Sequence, residues 1–390
     1  MLSYAEAMTR ARDLVPVLAE RALKTEKLRR LPDETITDLD ASGLLRIAQP
    51  RRFGGSELSL AEIYDVVSLI CEGDGSAGWV YSLLTSHGWM LALFGDQAQQ
   101  DVWGADADAI ISTSFAGASG PVEPVDGGVR IRDGRWRFST GVHHATWVLL
   151  LVAIPGDDGP PDIRFALLPR SEIEIVEDWK AAALAGTGSC GLTVKDAFVP
   201  EYRMLRLQDI NEASTPGREL NDAPLYKAPI VGAWALFLTA PAVGIARGAL
   251  RACIARTMSR VDPFTGAPLG GDPAGLIRLG GASARIDASD LLMKRAAESV
   301  TAEIIEHGKA TTETLVRSRR DYAFGVRQCV EAVEDLFLGA GASSLDEDSP
   351  IQRNWRDVHA VAQHVGNNLD RNMLAWGEGT LGFGDGLRFG

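Results

Sequence analysis

The stretch that decides the fold lies near the C-terminus and reads Arg353-Asn354-Trp355-Arg356-Asp357-Val358-His359-Ala360-Val361-Ala362-Gln363-His364. It follows a glycine-rich turn at residues 339–341, and its Arg-Asp pair opens a run that is typical of a helix. We expect Arg356 and Asp357 to form a structural ion pair. His359 and His364 are five residues apart, so their rings would point in different directions on a helix, and we interpret His359 as structural.

Outward from this stretch, the chain divides into a helical, a β and a second helical part. Residues 1–110 have apolar positions three and four apart, which predicts an N-terminal α-helical domain. Residues 111–215 contain short β-rich runs and predict a middle β-barrel or β-sandwich domain. Residues 216–390 return to helical spacing and predict a C-terminal helical bundle. The expected fold class is therefore α+β.

Several elements can be placed within these parts. Residues 147–154 and 163–168 are expected to be strands, and Asp133-Gly134 has the composition of a hairpin turn. Two long amphipathic helices are predicted at about 276–308 and 312–338.

Composition narrows the functional class. The formal net charge is −13 and basic residues are not clustered, which argues against nucleic-acid binding. The four cysteines are far apart and form no CxxC pair, so we expect no metal site and no disulfide framework. The N-terminus lacks a signal-peptide pattern, and no apolar stretch approaches the ~20 residues that span a bilayer. We therefore expect a cytoplasmic protein that does not enter a membrane.

Short motifs in a fixed order resemble the acyl-CoA dehydrogenase family. Residues 50–55, 74–79 and 126–141 resemble that family's "P-x-x-[FY]-G-G", "D-x-S-x-x-W" and glycine-flanked "R-W-R-F-S-S-G" segments. Residues 186–189 resemble its "G-T-G-S" turn, and residues 260–264 a stretched "R-x-x-F-G" segment. The resemblance extends over nearly the whole chain. It implies a helical N-terminal domain, a middle β domain and a C-terminal four-helix bundle.

The stretch at 353–364 departs from the dehydrogenases within this family. Their catalytic glutamate would fall at about Val365, beside His364. The chain instead is similar to the oxygenase components of two-component flavin-dependent monooxygenases, such as those that hydroxylate p-hydroxyphenylacetate. The resemblance implies that reduced flavin (FMNH2 or FADH2) reacts with O2 to a C4a-hydroperoxide, which hydroxylates a phenolic or polycyclic aromatic substrate.

The same resemblance implies roles for particular residues. His364 matches the family's C-terminal histidine, and an imidazole suits proton transfer because its pKa lies near working pH. Ser139, and after it Thr140, match hydroxyls near flavin N5. His87 matches a histidine that faces the substrate phenol, although a hydrogen-bonded core histidine is an equal alternative. Of His143 and His144, at most one would line the pocket.

The remaining implied contacts concern the flavin itself. Trp147 would pack against the isoalloxazine ring, or alternatively would be a core residue of its strand. Ser112 and Ser114 would contact the edge or the phosphate of the flavin. Arg260, with Phe264 in the same segment, would bind the flavin across a subunit interface of a homotetramer. The residues show no G-x-G-x-x-G between a strand and a helix, so we expect a separate NAD(P)H:flavin reductase to supply the reduced flavin.

Three alternative functions stay open from the sequence. The chain could be an amine or amino-sugar N-oxygenase on the same fold. It could be an acyl-CoA dehydrogenase-type oxidoreductase whose base is displaced. It could also be a non-catalytic scaffold that retained the fold.

Overall fold

The N-terminal part of the protein is helical, as expected. A computed structural model describes residues 1–156, 159–259, 261, 266 and 269–383. The helices of this part are α1 (Tyr4–Leu28), α2 (Asp33–Ala41), α3 (Leu60–Cys71), α4 (Gly75–Leu91) and α5 (Asp96–Gln99). Two early helices, α1 and α3, begin with capping boxes. The side chain of Ser3 or Ser59 accepts a hydrogen bond from the backbone N–H of the N3 glutamate, and the carboxylate of that glutamate accepts one from the backbone N–H of the serine.

The middle part consists of two sheets. Its strands are β1 (Ile111–Ser114), β2 (Ala116–Ser119), β3 (Val122–Val125), β4 (Gly128–Ser139), β5 (Trp147–Ile154), β6 (Asp162–Pro169), β7 (Glu174–Val176), β8 (Cys190–Pro200) and β9 (Met204–Arg206). The first sheet has the order β1-β5-β6-β9, and the second has the order β2-β4-β8-β7 with β3 also paired to β4. The β1–β5 pairing is parallel, and the other pairings are antiparallel.

The first sheet is buried on both faces, and this explains the continuous apolar run of β5. Side chains alternate across a strand, so Val148 and Leu150 belong to the core between the two sheets. Leu149, between them, belongs to the core shared with the helices. Strand β1 alternates in the same way, and its Ile111 faces the helices. One side of β1 therefore points at the second sheet and the other at α4.

The predicted hairpin at Asp133-Gly134 is wrong. Strand β4 continues through these residues, with Arg132 paired to Asp196 and Gly134 paired to Val194 of β8. The hairpin lies one Asp-Gly pair earlier, where Val125 of β3 pairs with Gly128 of β4. Gly127 supplies the left-handed backbone of that turn, with φ of 76°. The sequence offered the same dipeptide twice, and cross-strand pairing decided between the two copies.

The C-terminal part returns to helices, which confirms the predicted α–β–α order. Its elements are α6 (Leu207–Asn211), α7 (Gly217–Leu220), α8 (Ile230–Ser259), α9 (Pro273–His307), α10 (Thr312–Ala340), α11 (Pro350–Ala362) and α12 (Leu369–Leu381). Helices α8, α9, α10 and α11 pack against one another as a bundle. The division into domains after residues 110 and 215 stays a prediction.

Helix α8 is the central helix of the helical core. Contrary to the expectation from sequence, it is long and apolar enough to cross a membrane by length and composition. However, 89% of its most apolar 18-residue stretch is buried inside the protein. A Cβ on Gly244 would lie 2.0 Å from the Ser68 carbonyl oxygen, so α8 and α3 pack backbone against backbone. Small residues at helical spacing therefore serve close packing within the fold.

A buried carboxylate ties α11 to the turn before β8. Asp357 Oδ1 accepts a hydrogen bond of 2.6 Å from the Leu184 amide. The expected Arg356–Asp357 ion pair is wrong, because Arg356 pairs with Glu26 of α1 at 2.6 Å. Burial raises the pKa of Asp357 to about 7. Asp74, which caps α4 nearby, has its pKa raised to about 6 by the same cause.

Replacing Asp357 by asparagine should change how stability depends on pH. Between about pH 4 and pH 7, folded Asp357 keeps a proton that the unfolded chain releases, so its contribution to stability falls as pH rises. Asparagine does not titrate and can still accept from Leu184. Relative to wild type, Asp357→Asn should therefore gain roughly 1–3 kcal/mol between pH 5 and pH 8 in urea unfolding.

The Gln97→Ala substitution, at an exposed side chain that does not titrate, serves as the control, and its difference from wild type should stay constant over the same range. An unchanged difference between wild type and Asp357→Asn would contradict a raised pKa at Asp357.

Candidate active site

Hydroxyl groups from two sheets meet where β1 passes the end of β4. Ser112 Oγ donates to the Thr140 carbonyl oxygen at 2.8 Å and lies 2.7 Å from Ser139 Oγ. A serine hydroxyl carries one hydrogen, and that of Ser112 is used on the carbonyl. Ser139 must then donate to Ser112, which leaves only lone pairs on Ser139. Ser139 is therefore an acceptor toward any further group that approaches it.

A second row of hydroxyls continues from Thr140. Its Oγ1 lies 2.8 Å from Ser189 Oγ, which lies 2.8 Å from Thr187 Oγ1. All three side chains are buried. Thr187 and Ser189 belong to the turn that Asp357 anchors through Leu184, so the row connects the end of β4 to the C-terminal bundle. Hydroxyls suit such a row because each can donate or accept by rotation.

A β-bulge in β4 turns Ser139 toward the first sheet. Trp136 pairs with Leu192 and Ser139 with Cys190, so β4 has one residue more than β8 over this interval. Strict alternation from buried Trp136 would place Phe138 inside and Ser139 outside. Instead Phe138 is 51% exposed with φ of 62°, and Ser139 is fully buried. The bulge thus gives Ser139 its contact with Ser112.

The histidine of α4 lies under β1. His87 is buried, and its Nδ1 lies 2.9 Å from the Ile111 carbonyl oxygen. A carbonyl only accepts, so Nδ1 carries the hydrogen and Nε2 has a free lone pair. Burial lowers the pKa of His87 to about 4, which keeps the ring neutral at pH 7. His87 is therefore buried and hydrogen-bonded through Nδ1, and it still offers one acceptor atom at Nε2.

His364 differs from the expected helical histidine. Helix α11 ends at Ala362, and His364 caps the following short turn, where its Nδ1 accepts from the Gly366 amide at 3.1 Å. The neutral ring thus carries its hydrogen on Nε2. Burial lowers the pKa of His364 to about 4. His87 and His364 are both neutral at pH 7, but one presents an acceptor at Nε2 and the other a donor.

Aromatic rings surround His364. The Trp79 ring of α4 lies 6.0 Å from the imidazole between centroids, and the Trp234 ring of α8 lies at 5.9 Å. Phe115, just after β1, stacks on Trp234 at 4.3 Å. Trp234 Nε1 and Thr113 Oγ1 are buried and have no hydrogen-bond partner among the residues that the structure describes. The neighbourhood of His364 is therefore aromatic, and it includes the unpaired N–H of Trp234.

The two remaining described residues that were predicted to contact the flavin, Ser114 and Trp147, have partners within or next to the β part of the chain. Ser114 Oγ donates to the Arg137 carbonyl oxygen at 2.5 Å. The guanidinium of Arg203 covers the Trp147 ring at 5.0 Å from its centroid. Trp147 packs on the helical core rather than between the sheets. Arg260 and Phe264 lie outside the residues that the structure describes.

The remaining histidines contact structural elements. His143 and His144 lie in a tight turn, Val142–His144. His143 Nε2 lies 3.0 Å from Glu177 Oε1, and His144 Nε2 lies 3.2 Å from the Leu31 carbonyl oxygen. His359 Nδ1 lies 2.7 Å from the Trp355 carbonyl oxygen, one turn back on α11.

Comparison with known proteins identifies the family. The profile "Acyl-CoA dehydrogenase, N-terminal domain" matches residues 7–107, and "Acyl-CoA dehydrogenase, C-terminal domain" matches residues 236–369. The chain is 36% identical to the flavin-dependent monooxygenase oxygenase subunit HsaA of Rhodococcus jostii, over 96% of this chain and 98% of that protein. The chain belongs to the acyl-CoA dehydrogenase family. Within it, the chain is an enzyme of the flavin-dependent monooxygenase kind.

Further members of the family agree with this placement. The oxygenase component of p-hydroxyphenylacetate 3-hydroxylase from Acinetobacter baumannii is 32% identical, over 95% of this chain and 87% of that protein. The crystal structure of the HsaA monooxygenase from M. tuberculosis superposes with a TM-score of 0.92 at 34% identity, covering 98% of both chains. XiaF from Streptomyces, solved with FADH2 and glycerol, gives 0.88 at 25% identity over 97% and 96%.

Sequence reasoning missed several residues of the site. Trp79, Thr187 and Ser189 stood inside family motifs, but no role was assigned to them. Trp234 lies in the apolar run of α8, where nothing local distinguishes it from a core residue. Only the packing of Trp234 against Phe115 and His364 separates it from the other side chains of that helix.

The left-handed backbone of Phe138 makes a testable prediction about stability. A left-handed residue with a Cβ is strained, most of all when it is β-branched, so Phe138→Gly should be more stable than Phe138→Val by about 1 kcal/mol. Phe198 of β8 is similarly exposed and lies in regular strand, where the order should reverse because valine favours strands and glycine does not.

Urea unfolding of the four variants measures both differences. The same order of glycine and valine at the two positions would contradict a strained bulge at Phe138.

Proposed function

We propose that the chain is the oxygenase component of a two-component system that hydroxylates an aromatic substrate, phenolic or polycyclic. The observation that carries this proposal is the pair formed by Val365 and His364. Where a dehydrogenase of this fold would need a carboxylate, Val365 is apolar and 65% exposed. His364 beside it is neutral and framed by Trp79 and Trp234. A displaced dehydrogenase base has no such support.

Reduced flavin, as FMNH2 or FADH2, would supply the reaction with O2 when it is bound. The Ser139 hydroxyl already donates its hydrogen to Ser112, so toward other groups it can only accept. Its lone pairs would therefore suit the N–H at N5 of a reduced flavin. Ser112 and Thr140 would hold Ser139 in that orientation. We propose the other sequence-derived positions as further flavin contacts: Ser114, Trp147, Arg260 and Phe264.

The two histidines would divide the handling of protons. His364 presents Nε2–H and would donate a hydrogen bond to oxygen bound beside the flavin. His87 presents a lone pair at Nε2 and would accept the hydroxyl hydrogen of a phenol. The proton stays on the phenol oxygen in this hydrogen bond, which polarises the O–H bond and makes the ring carbon ortho to that oxygen a better nucleophile. Neutral rings suit both tasks, since neither requires a counter-charge in an apolar site.

The surroundings favour a flat, uncharged substrate. Trp79, Phe115 and Trp234 offer aromatic faces, on which another aromatic ring packs well. The Trp234 N–H is buried and unpaired within the described part of the chain, so a substrate oxygen near it would satisfy a donor that otherwise lacks a partner.

Substituting His364 should shorten the time for which the protein protects its flavin from oxygen. The purified protein is mixed anaerobically with reduced FMN or FAD, given an oxygen pulse, and followed by stopped-flow absorbance. Wild type should delay the return of oxidised flavin relative to free flavin. His364→Ala and Ser139→Ala should shorten that delay, and His364→Ala should lower product formation by about 10²–10⁴-fold once a substrate is supplied.

His359→Ala is the matched control, because His359 lies on the same segment and bonds only structural neighbours. Reoxidation by the folded wild-type protein at the rate of free flavin would count against the oxygenase function.

We further propose that the protein is a cytoplasmic homotetramer that receives its flavin by diffusion from a separate NAD(P)H:flavin reductase. The names of its relatives as oxygenase components or subunits support a separate reductase. Large apolar side chains exposed on the outer helices support the tetramer: Leu276, Ile277, Leu291 and Ile305 of α9, Leu338 of α10, and Leu374 and Leu381 of α12.

Sedimentation equilibrium at micromolar concentration tests the assembly. We expect a mass of four chains of 41.8 kDa each. Association should weaken in Leu291→Glu, because a charge on the apolar face would be buried without a partner. The exposed Glu298→Gln on the same helix is the control. A single species at the mass of one chain would refute the tetramer.

A further inference from the structure

Three side chains of different chemistry converge behind the row of hydroxyls. His143 lies in the turn after β4, Glu177 follows β7, and Cys190 is the first residue of β8. One ligand atom from each lies within 4.8 Å of the other two. His143 Nε2 is 3.0 Å from Glu177 Oε1, and Cys190 Sγ is 3.7 Å from Glu177 Oε2. The carboxylate therefore lies between an imidazole and a thiol.

The distances between these ligand atoms suit a cation in tetrahedral coordination. With zinc bonds of about 2.0–2.3 Å to nitrogen, oxygen and sulfur, ligand atoms around one zinc ion are roughly 3.3–3.6 Å apart. The two separations, 3.0 Å from His143 Nε2 to Glu177 Oε1 and 3.7 Å from Cys190 Sγ to Glu177 Oε2, lie on either side of that range. Small side-chain rotations would bring the three atoms to a common centre.

The donor set selects the kind of metal. Magnesium and calcium take oxygen ligands, whereas imidazole and thiolate together suit zinc and its neighbours in the first transition row. The ordinary interpretation without a metal is a hydrogen-bonded His143–Glu177 pair with a neutral thiol beside it. With or without a metal, His143 Nδ1 is buried without a hydrogen-bond partner among the described residues, so the convergence of the three ligand atoms and their chemistry carry the metal-bound alternative.

The cluster is accessible from one side. The Glu177 side chain is 71% exposed, while that of His143 is 9% exposed and Cys190 is buried. A cation could enter along Glu177 and keep water as its fourth ligand, since three protein ligands leave one tetrahedral position open.

We propose that His143, Glu177 and Cys190 form a binding site for one divalent zinc-like cation. On binding, the Cys190 thiol loses its proton to solvent and the thiolate becomes a ligand. His143 moves its own ring proton from Nε2 to Nδ1, so that Nε2 can bind the metal. No oxidant or reductant is needed for either change.

The position of the site connects it to the candidate active site. Cys190 is the cross-strand partner of Ser139, and His143 lies two residues after the glycine that follows Thr140. A cation would link β8, the end of β7 and the turn after β4. It should therefore hold the segment that carries Ser139 and Thr140. The binding itself does not depend on the proposed oxygenase function.

Cobalt(II) is the probe, because a cobalt–thiolate bond gives a charge-transfer absorption in the near ultraviolet that oxygen and nitrogen ligands alone do not give. Untagged, reduced full-length protein is titrated with Co²⁺, then with Zn²⁺ in competition, and Zn²⁺ affinity is measured by calorimetry. We expect one cation per chain, the thiolate band, its loss when Zn²⁺ is added, and a higher melting temperature with Zn²⁺.

Three variants separate this site from adventitious binding. Cys190→Ser should abolish the cobalt band, whereas Cys253→Ser, a substitution at a buried cysteine elsewhere, should retain it. Glu177→Gln changes an exposed side chain and should fold normally, and it should weaken Zn²⁺ binding about tenfold or more. Wild type without a thiolate band, or equal Zn²⁺ affinity in wild type and Glu177→Gln, would overturn the site.

Discussion

The hydrogen bond from the Leu184 amide to Asp357 is the constraint on which both sides of the candidate active site depend. Leu184 opens the turn whose Thr187 and Ser189 reach Thr140, and Asp357 lies two turns before His364. One short bond of 2.6 Å therefore ties the turn that carries Thr187 and Ser189 to the helix that leads to His364. Burying the carboxyl group of Asp357 near that of Asp74 lowers the stability of the fold at neutral pH. Local destabilisation of this kind is common where the surrounding structure holds a functional site in place.

The two-faced first sheet explains why a single short strand can serve both halves of the site. Ser112 of β1 points toward β4 and holds Ser139, whereas Ile111 beside it gives its carbonyl oxygen to His87 of α4. Because strand side chains alternate, four residues suffice to reach the sandwich on one side and the helices on the other. The parallel pairing of β1 with β5 keeps this strand buried.

Sequence reasoning succeeded where a pattern is local or repeated along the chain. Helical spacing and the apolar run at 147–154 predicted the α–β–α order, and that order is confirmed. It failed at Asp133-Gly134, because two Asp-Gly pairs are equally good turns and only cross-strand pairing chooses between them. It also extended helix α11 through His364, since nothing in Gln363-His364-Val365 marks an end. Trp234 and the His143–Glu177–Cys190 cluster are tertiary juxtapositions, which spacing along the chain does not reveal.

The bulge at Phe138 has a consequence for how this segment can vary in length. In a regular strand, residues an even number of positions apart face the same side of the sheet, and residues an odd number apart face opposite sides. The three-residue step from Trp136 to Ser139 uses one extra residue to place both on the same side. A homologue that lost the extra residue would have the regular two-residue step of a strand, which also places both residues on the same side. Bulged and regular forms of β4 can therefore both hold the hydroxyl inside, so a difference of one residue in this step is compatible with the same contact to β1.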